Sequence, residues 1–509
     1  MRQNTSIYKL LLYVAITTSL ISCKRQLEEV IPQDRISKSL ALTDAGAAQT
    51  LYAGAYALFR SNVSTFFNLG EMRSDIWVDG IYTESPNAGM LQLYTHNISA
   101  LNVPFDNWAG FYNLIYNINN VIDVLPKSPV DAAISQREVA EMYGLRAYIY
   151  YTMLKTWGGV PITTTPVITI NNAAETYKAR STPDSVMLQI KSDIEKSLEL
   201  FGNANTFPSG NRVFWNRITS LVLKGDVYIW SGTHLEGGKA DFTTAKAALA
   251  EVEALQGTSL MLNANYADIF DPTKKSNNPE IIFAVNYELG QATQTTFTSF
   301  LVNNIQASGL SFAKDTTPKV LSVYPYVSGA NGVGMSQATI NKLTADTTDQ
   351  RIPKTFRVMY TAKSPFDTRG ILLTKFIGTT SGSTQVYNND YPVYRYADVL
   401  LLMAEAKTKL GEDPASEINQ IRKRAHGDAA QLFTNGSVSS NMNAILDEYL
   451  REFIGEGKRW WALRRAGDDY VYAAIRPSYL SPTTTAKLLL PISQTMMNND
   501  PLLTQTPGY

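Results

Sequence analysis

The sequence predicts a mainly α fold, a tetratricopeptide-like stack of helix pairs that carries a loop-rich second lobe with a few short strands. Three observations lead there. Helical apolar spacing fills the chain to about residue 256; from 257 to 391 it fades into Asn, Thr, Ser, Gly and Pro; from 392 onward it returns. Paired helices on the N-terminal side suggest an α-hairpin stack, although no clean 34-residue consensus recurs.

The first helix is expected from the N-cap pair Thr43-Asp44 to about Ser61, and a second from Asp106 to Leu125, closed by Pro126. The third, in "SQREVAEMYGLRAYIYYTMLKTWGGVP", has two adjoining apolar stripes. Met142, Leu145, Ile149 and Met153 form one, and Tyr143, Ala147, Tyr150 and Leu154 the other, so this helix should be buried among others until Gly158-Gly159 stop it. Further helices are expected at Pro183 to Phe201, Asn211 to Ser231 and Phe242 to Leu255. The stretch from 257 to 391 reads as ordered but irregular, with β-prone pieces such as "EIIFAVNY", because aromatic residues recur through it. Helices then return at 394 to 411, at Ser416 to Ala425 and at 443 to 467. The expected organisation is a leader over 1–22, a helical region over 23–256, a ligand-binding lobe over 257–391 and a second helical region over 392–509.

Charge narrows the function. Lysine plus arginine total 45, as do aspartate plus glutamate, so no broad basic face is available for phosphates and nucleic acid is a poor partner. Three histidines, His96, His234 and His426, are too few for a histidine-rich metal site. No P-loop, G-x-S-x-G, H-E-x-x-H or helix-opening G-x-G-x-x-G motif occurs, so no cofactor and no catalytic residue is expected. Two carboxylates would suffice for glycoside hydrolysis, and sequence spacing does not test that.

Two charged features favour structural roles. Arg146 interrupts the stripes of the third helix and Glu405 lies within "VLLLMAEA"; a charge on a buried helix demands an opposite partner. In "GKRWWALRRAG" the tryptophans read as core, with the arginines covering them or pairing with acids. Glu448, Glu452 and Glu456, at helical spacing just upstream, should offset the basic charge.

The lone cysteine, Cys23, follows Arg2, Lys9 and the run Leu10 to Ile16. That is the layout of a secretory leader, and the run is shorter than the roughly 20 apolar residues a membrane span needs. "LISC" resembles the lipobox of bacterial lipoproteins, which implies cleavage before Cys23 and lipid on its sulfur.

Four stretches, "RAYIYYTMLKTWGGVPI", "YPVYRYADVLLLMAEAKTKLG", "REFIGEGKRWWALRRAG" and "LLLPISQTMMNNDPLLTQTPGY", resemble in order and spacing the segments of the SusD/RagB family, and "NRITSLVLKGDVYIWSG" resembles its middle helix. Tyr449, Ala462 and Asn499-Asp500-Pro501 depart from the usual arginine, aspartate and Asn-Pro, which puts local ion pairs in doubt. The resemblance implies an outward-facing, lipid-anchored outer-membrane protein. It would capture glycan oligomers without catalysis and pass them to a TonB-dependent β-barrel of the SusC type. Peptides are the alternative ligand, and a surface glycosidase ranks third.

Sugar rings want exposed aromatic faces beside polar side chains, on loops carried by a rigid scaffold. Two stretches offer these: 74–94, and 285–335 with Tyr287, Phe312, Tyr324 and Tyr326. The residues expected to bind ligand are Trp77, Asp79, Tyr82, Asn87, Tyr324 and Tyr326.

Overall fold

A computed structural model describes residues 36–80, 88–105, 107–166, 171–207 and 210–509. The leader and Cys23 lie outside the described residues. The helical scaffold comprises α1 (Ala45–Ser61), α2 (Val63–Glu71), α3 (Ala109–Val124), α4 (Ala132–Trp157), α5 (Pro183–Phe201), α6 (Arg217–His234) and α7 (Gly238–Glu253). Its C-terminal part adds α8 (Tyr396–Leu410), α9 (Ala415–His426), α10 (Val438–Glu452) and α11 (Arg459–Ala466). Successive helices pack as pairs, α4 on α5 and α6 on α7, and α7 then receives α8 from the other end of the chain.

Local chemistry sets the boundaries. The Asp44 side chain accepts from the Ala47 N–H at 2.7 Å and starts α1. Thr182 caps α5, whose first residue is Pro183. The helix expected from Asn211 starts later, at Arg217, because the Asn216 side chain accepts the Thr219 N–H at 3.0 Å. As its double stripe predicts, α4 is buried at nearly every position from Glu138 to Trp157.

Between α7 and α8 the chain forms short antiparallel strands: β2 (Ile281–Val285), β3 (Leu310–Ser311), β4 (Val333–Met335), β5 (Phe356–Thr361), β6 (Thr368–Leu373), β7 (Thr379–Ser381), β8 (Thr384–Val386) and β9 (Tyr391–Arg395). They pair as β2–β9, β3–β5–β6 and β7–β8, and β4 pairs with β1 (Trp77–Asp79) far upstream. All five residues of β2 and of β9 are buried, and β9 runs directly into α8. A large core cluster extends from Ala41 to Leu503, while a smaller one under the lobe includes Leu301, Leu310, Val327, Met359 and Leu372.

The helix expected over 443–467 is two helices. The chain leaves α10 after Glu452, and Gly455 and Gly457 take φ of 82° and 72°, values that suit glycine alone. The buried Glu71 carboxylate holds this turn, accepting the backbone N–H groups of Gly455, Gly457 and Lys458 at 2.8, 3.1 and 3.2 Å. Gly70 lets α2 approach; a Cβ there would lie 1.8 Å from the Gly457 carbonyl oxygen.

Both isolated charges have partners. Arg146 forms a two-pronged bond to Asp193 at 2.8 and 2.7 Å, and Arg465 reaches Glu405 twice at 2.7 Å. Tyr449, where the family pattern has arginine, accepts from Arg465 at 2.8 Å. The tryptophans of α11 are core, Arg73 lies over Trp460, and Lys155 lies over Trp461. The expected local charge balance is a different one, however. Glu448, Glu452 and Glu456 turn mainly toward Arg351, Arg395, Arg422, Arg424 and Lys375 from other segments. The basic residues of α11 find Asp75, Asp468, Glu405 and Asp226 instead.

Arg395 is the centre of this network. It donates to Glu280 at 2.5 Å, to Glu452 at 2.6 Å and to both oxygens of Glu456 at 2.9 Å, all at fully buried side chains. Arg395→Met should therefore destabilise the protein by roughly 3–5 kcal/mol, since it strands buried carboxylates; urea unfolding measures this. Burial favours the proton on Glu456, yet Arg395, Lys375 and Lys458 outweigh it and hold its pKa at about 2 against an ordinary 4.5. A depressed carboxylate stabilises above its unfolded value, so thermal stability should fall as pH drops from about 4.5 toward 2. Glu456→Gln should flatten that part of the melting profile.

Candidate functional site

Trp77 is the first residue of β1, whose register with β4 sets Trp77 opposite Met335 and Asp79 opposite Val333. The next residue, Ser336, donates its backbone N–H to the Ile76 carbonyl at 3.0 Å and caps the helix Gln337–Thr344. Strand pair and helix thus form one wall of a cavity of about 290 Å³, whose lining includes Asp75, Trp77, Tyr94, Lys342, Arg476 and Tyr479. Trp77 is buried, 3% exposed, with its ring edge-on to Phe300 at 4.7 Å, so it serves as a rigid floor and not as a projecting platform.

The polar groups around it are fixed. Arg459 bonds both Asp75 oxygens at 2.8 and 2.9 Å. Burial opposes ionisation of Asp75, but the guanidinium prevails and its pKa lies below the usual carboxylate value. The Tyr94 hydroxyl donates to Asp79, and burial together with that carboxylate pushes the phenol well above its ordinary pKa. Lys342 pairs with Asp447 at 2.6 Å. Arg476 is exposed, with its guanidinium over the Tyr479 ring at 5.7 Å. The arrangement offers aromatic surface, a phenol, an ionised carboxylate and two cations around a volume close to that of small-ligand sites.

The structure brings Trp77 and Asp79 together on β1. Tyr82 and Asn87 lie outside the described residues. Tyr324 and Tyr326 do not line this cavity: Tyr324 is half-buried against the smaller core cluster, edge-on to Phe312 at 6.0 Å, and Arg357 covers Phe312 at 3.7 Å. The stretch 74–94, taken as loop-rich, contains β1 and most of the helix Ala88–Thr95. Sequence reasoning missed Asp75, Lys342, Arg476 and Tyr479 as neighbours of Trp77. Asp75 lies two residues before Trp77, within the stretch 74–94, whereas Lys342, Arg476 and Tyr479 come from distant segments that no periodic signal joins to it.

Residues 358–509 match the model of the SusD family, and residues 40–207 match a family model described as "Starch-binding associating with outer membrane". NanU of B. fragilis is 31% identical and superposes with a TM-score of 0.84, over 94% of this chain and 100% of that one. The SusD-like protein P38 of Formosa agariphila is 26% identical over 482 residues, 87% of this chain and 88% of the relative. The starch-binding protein SusD of Bacteroides thetaiotaomicron is 30% identical over 130 residues, 24% of this chain and 22% of that one. The chain belongs to the SusD/RagB family. Among the described residues no helix is long and apolar enough to cross a membrane.

The Tyr94 hydroxyl bonds the Asp79 carboxylate beside the cavity, and because Asp79 is exposed, water can take the place of that donor in Tyr94→Phe. The expected result is a loss of about 0.5–1 kcal/mol in folding stability, read by denaturant titration, with far-ultraviolet circular dichroism unchanged.

Proposed function

We propose that the protein is a lipid-anchored receptor of the outer membrane that binds glycan oligomers at the cell exterior without cleaving them. It would then pass them to a TonB-dependent β-barrel partner of the SusC type. The observation that carries this reading is the aromatic cavity around Trp77, Tyr94 and Tyr479 in a chain that matches a starch-binding, outer-membrane family model. An apolar floor suits the C–H faces of a sugar, and Asp75, Lys342 and Arg476 suit its hydroxyls. Tyr82 and Asn87 just beyond β1, and Tyr324 and Tyr326 in the lobe, remain candidates for extending the contact.

The chemistry of the cavity favours holding over hydrolysis. Glycoside cleavage calls for a carboxyl group kept protonated beside a second carboxylate. Asp75 is instead tied to Arg459 and ionised. Lipid on Cys23 would supply the membrane attachment.

The test is titration calorimetry of the full-length protein in detergent against maltoheptaose, laminarihexaose and a peptide digest, with chromatography of the sugars afterwards. A glycan should bind and be recovered intact, and Tyr479→Ala should weaken it about three- to tenfold, the worth of one aromatic contact. Binding of the peptide digest alone, or release of shorter sugars, would overturn the proposal. Cys23→Ser should move the protein from the membrane fraction to the soluble fraction; unchanged fractionation would refute the anchor.

A further inference from the structure

We infer that the chain carries a second carbohydrate-binding site, at an aromatic cavity built around Phe214. This rests on the glycan-binding reading above. The cavity, about 420 Å³, opens where α1 and α4 meet the segment before α6, and its lining includes Gln49, Tyr52, Arg137, Glu138, Phe214 and Asn216. None of its lining residues belongs to the Trp77 cavity.

Phe214 and Trp215 divide the work of one dipeptide. Trp215 is 1% exposed and enters the core, where its indole N–H donates to Ser220 at 2.8 Å, whereas Phe214 is 41% exposed. The Phe214 ring is nonetheless held in place. It stacks on Tyr52 at 6.2 Å and 22°, and meets Tyr56 edge-on at 5.2 Å. Those two rings are anchored in turn, since both hydroxyls donate to the buried Glu141 carboxyl, at 2.5 and 2.6 Å, and the Tyr56 oxygen accepts the Trp215 backbone N–H at 2.9 Å. A flat apolar face is therefore presented to solvent on a rigid mount, so ligand binding would order little that is still mobile.

The rim selects the class of ligand. Gln49 donates to Glu138 at 2.8 Å, and the Arg137 guanidinium lies 3.4 Å from Glu138 and 3.5 Å from Glu141. Arg137 and Glu138 cancel in charge, and Arg217, which also lines the cavity, is paired with Glu251 at 2.8 Å. Burial raises Glu141 to about 8, so it adds little charge at neutral pH. Hydrogen-bonding groups without net charge beside an open ring fit a neutral, polyhydroxylated ring, and the volume lies within the range of ligand pockets. A second grip on the same oligomer, or on another strand of the same polysaccharide, would raise avidity without new chemistry.

The experiment uses full-length protein in detergent, titrated calorimetrically with maltoheptaose and laminarihexaose, comparing wild type with Phe214→Ala, Phe214→Leu and Tyr479→Ala. Wild type should show two binding events per chain. Phe214→Ala should remove one of them, Phe214→Leu should weaken the same event several-fold because it keeps bulk but lacks a flat ring, and Phe214→Tyr should restore it. Melting temperatures within the wild-type range would show that the variants fold. A Phe214-dependent event with no event that Tyr479→Ala weakens would overturn the first site and spare this one. A binding isotherm unaltered by Phe214→Ala overturns this inference alone. Absence of glycan binding overturns both, and release of reducing ends overturns the binding-only role of this cavity.

Discussion

The structure depends on a row of buried acids that must all be answered. Glu448, Glu452 and Glu456 follow one another along α10 and into its terminal turn, and their side chains are almost wholly shielded from water. Left alone, each would cost several kcal/mol of desolvation. Their partners come from widely separated places: Arg351 from the lobe just before β5, Lys375 from just after β6, Arg395 from the end of β9, and Arg422 and Arg424 from α9. The network is complete only when the lobe sits on the helical scaffold. Electrostatics thus penalises partial assemblies more than it rewards the finished one, while the apolar core from Ala41 to Leu503 supplies the attraction.

The same logic explains the break between α10 and α11. By local propensity "REFIGEGKRWWALRRAG" continues a helix across residues 451–467 at the modest cost of two glycines. What decides otherwise is Glu71, nearly 400 residues upstream in sequence, whose carboxylate binds three N–H groups that an unbroken helix would occupy internally. The break re-aims α11, so that Trp460 and Trp461 enter the core while Arg459 and Arg465 reach acids on distant segments and Arg464 pairs with Asp468 four residues on.

This contrast marks what could be read from the chain. Boundaries fixed by neighbours in sequence were legible: Thr182-Pro183 opens α5 and Asp44 opens α1, each through a cap a few residues away. The pairing demanded of Arg146 and Glu405 was legible as a need, though not as a partner, since Asp193 and Arg465 lie 47 and 60 positions off. The candidate site was legible only in part. Trp77 and Asp79 drew attention as aromatic and acid together, but an aromatic residue in a strand is read alike whether it floors a cavity or projects from a surface. Tyr479 and Arg476 enter the Trp77 cavity from the far end of the chain, and no local pattern announces that.

Phe214 shows the reverse case, in which a local sequence signal accounts for an exposed aromatic ring. Stretches lacking helical spacing are the expected place for ligand-contacting aromatics, because loops commonly carry function. Yet "VFWN", residues 213–216, sits at the mouth of a helix, where Asn216 must turn its side chain back to cap α6. That turn fixes the backbone, and a fixed backbone sends neighbouring side chains to opposite sides. Trp215, the larger, takes the interior and Phe214 is left facing water. Its exposure is a consequence of capping geometry, and the two tyrosines tied to Glu141 make a permanent surface out of it. A rigid scaffold therefore presents fixed aromatic surface at the start of a helix as well as on its loops.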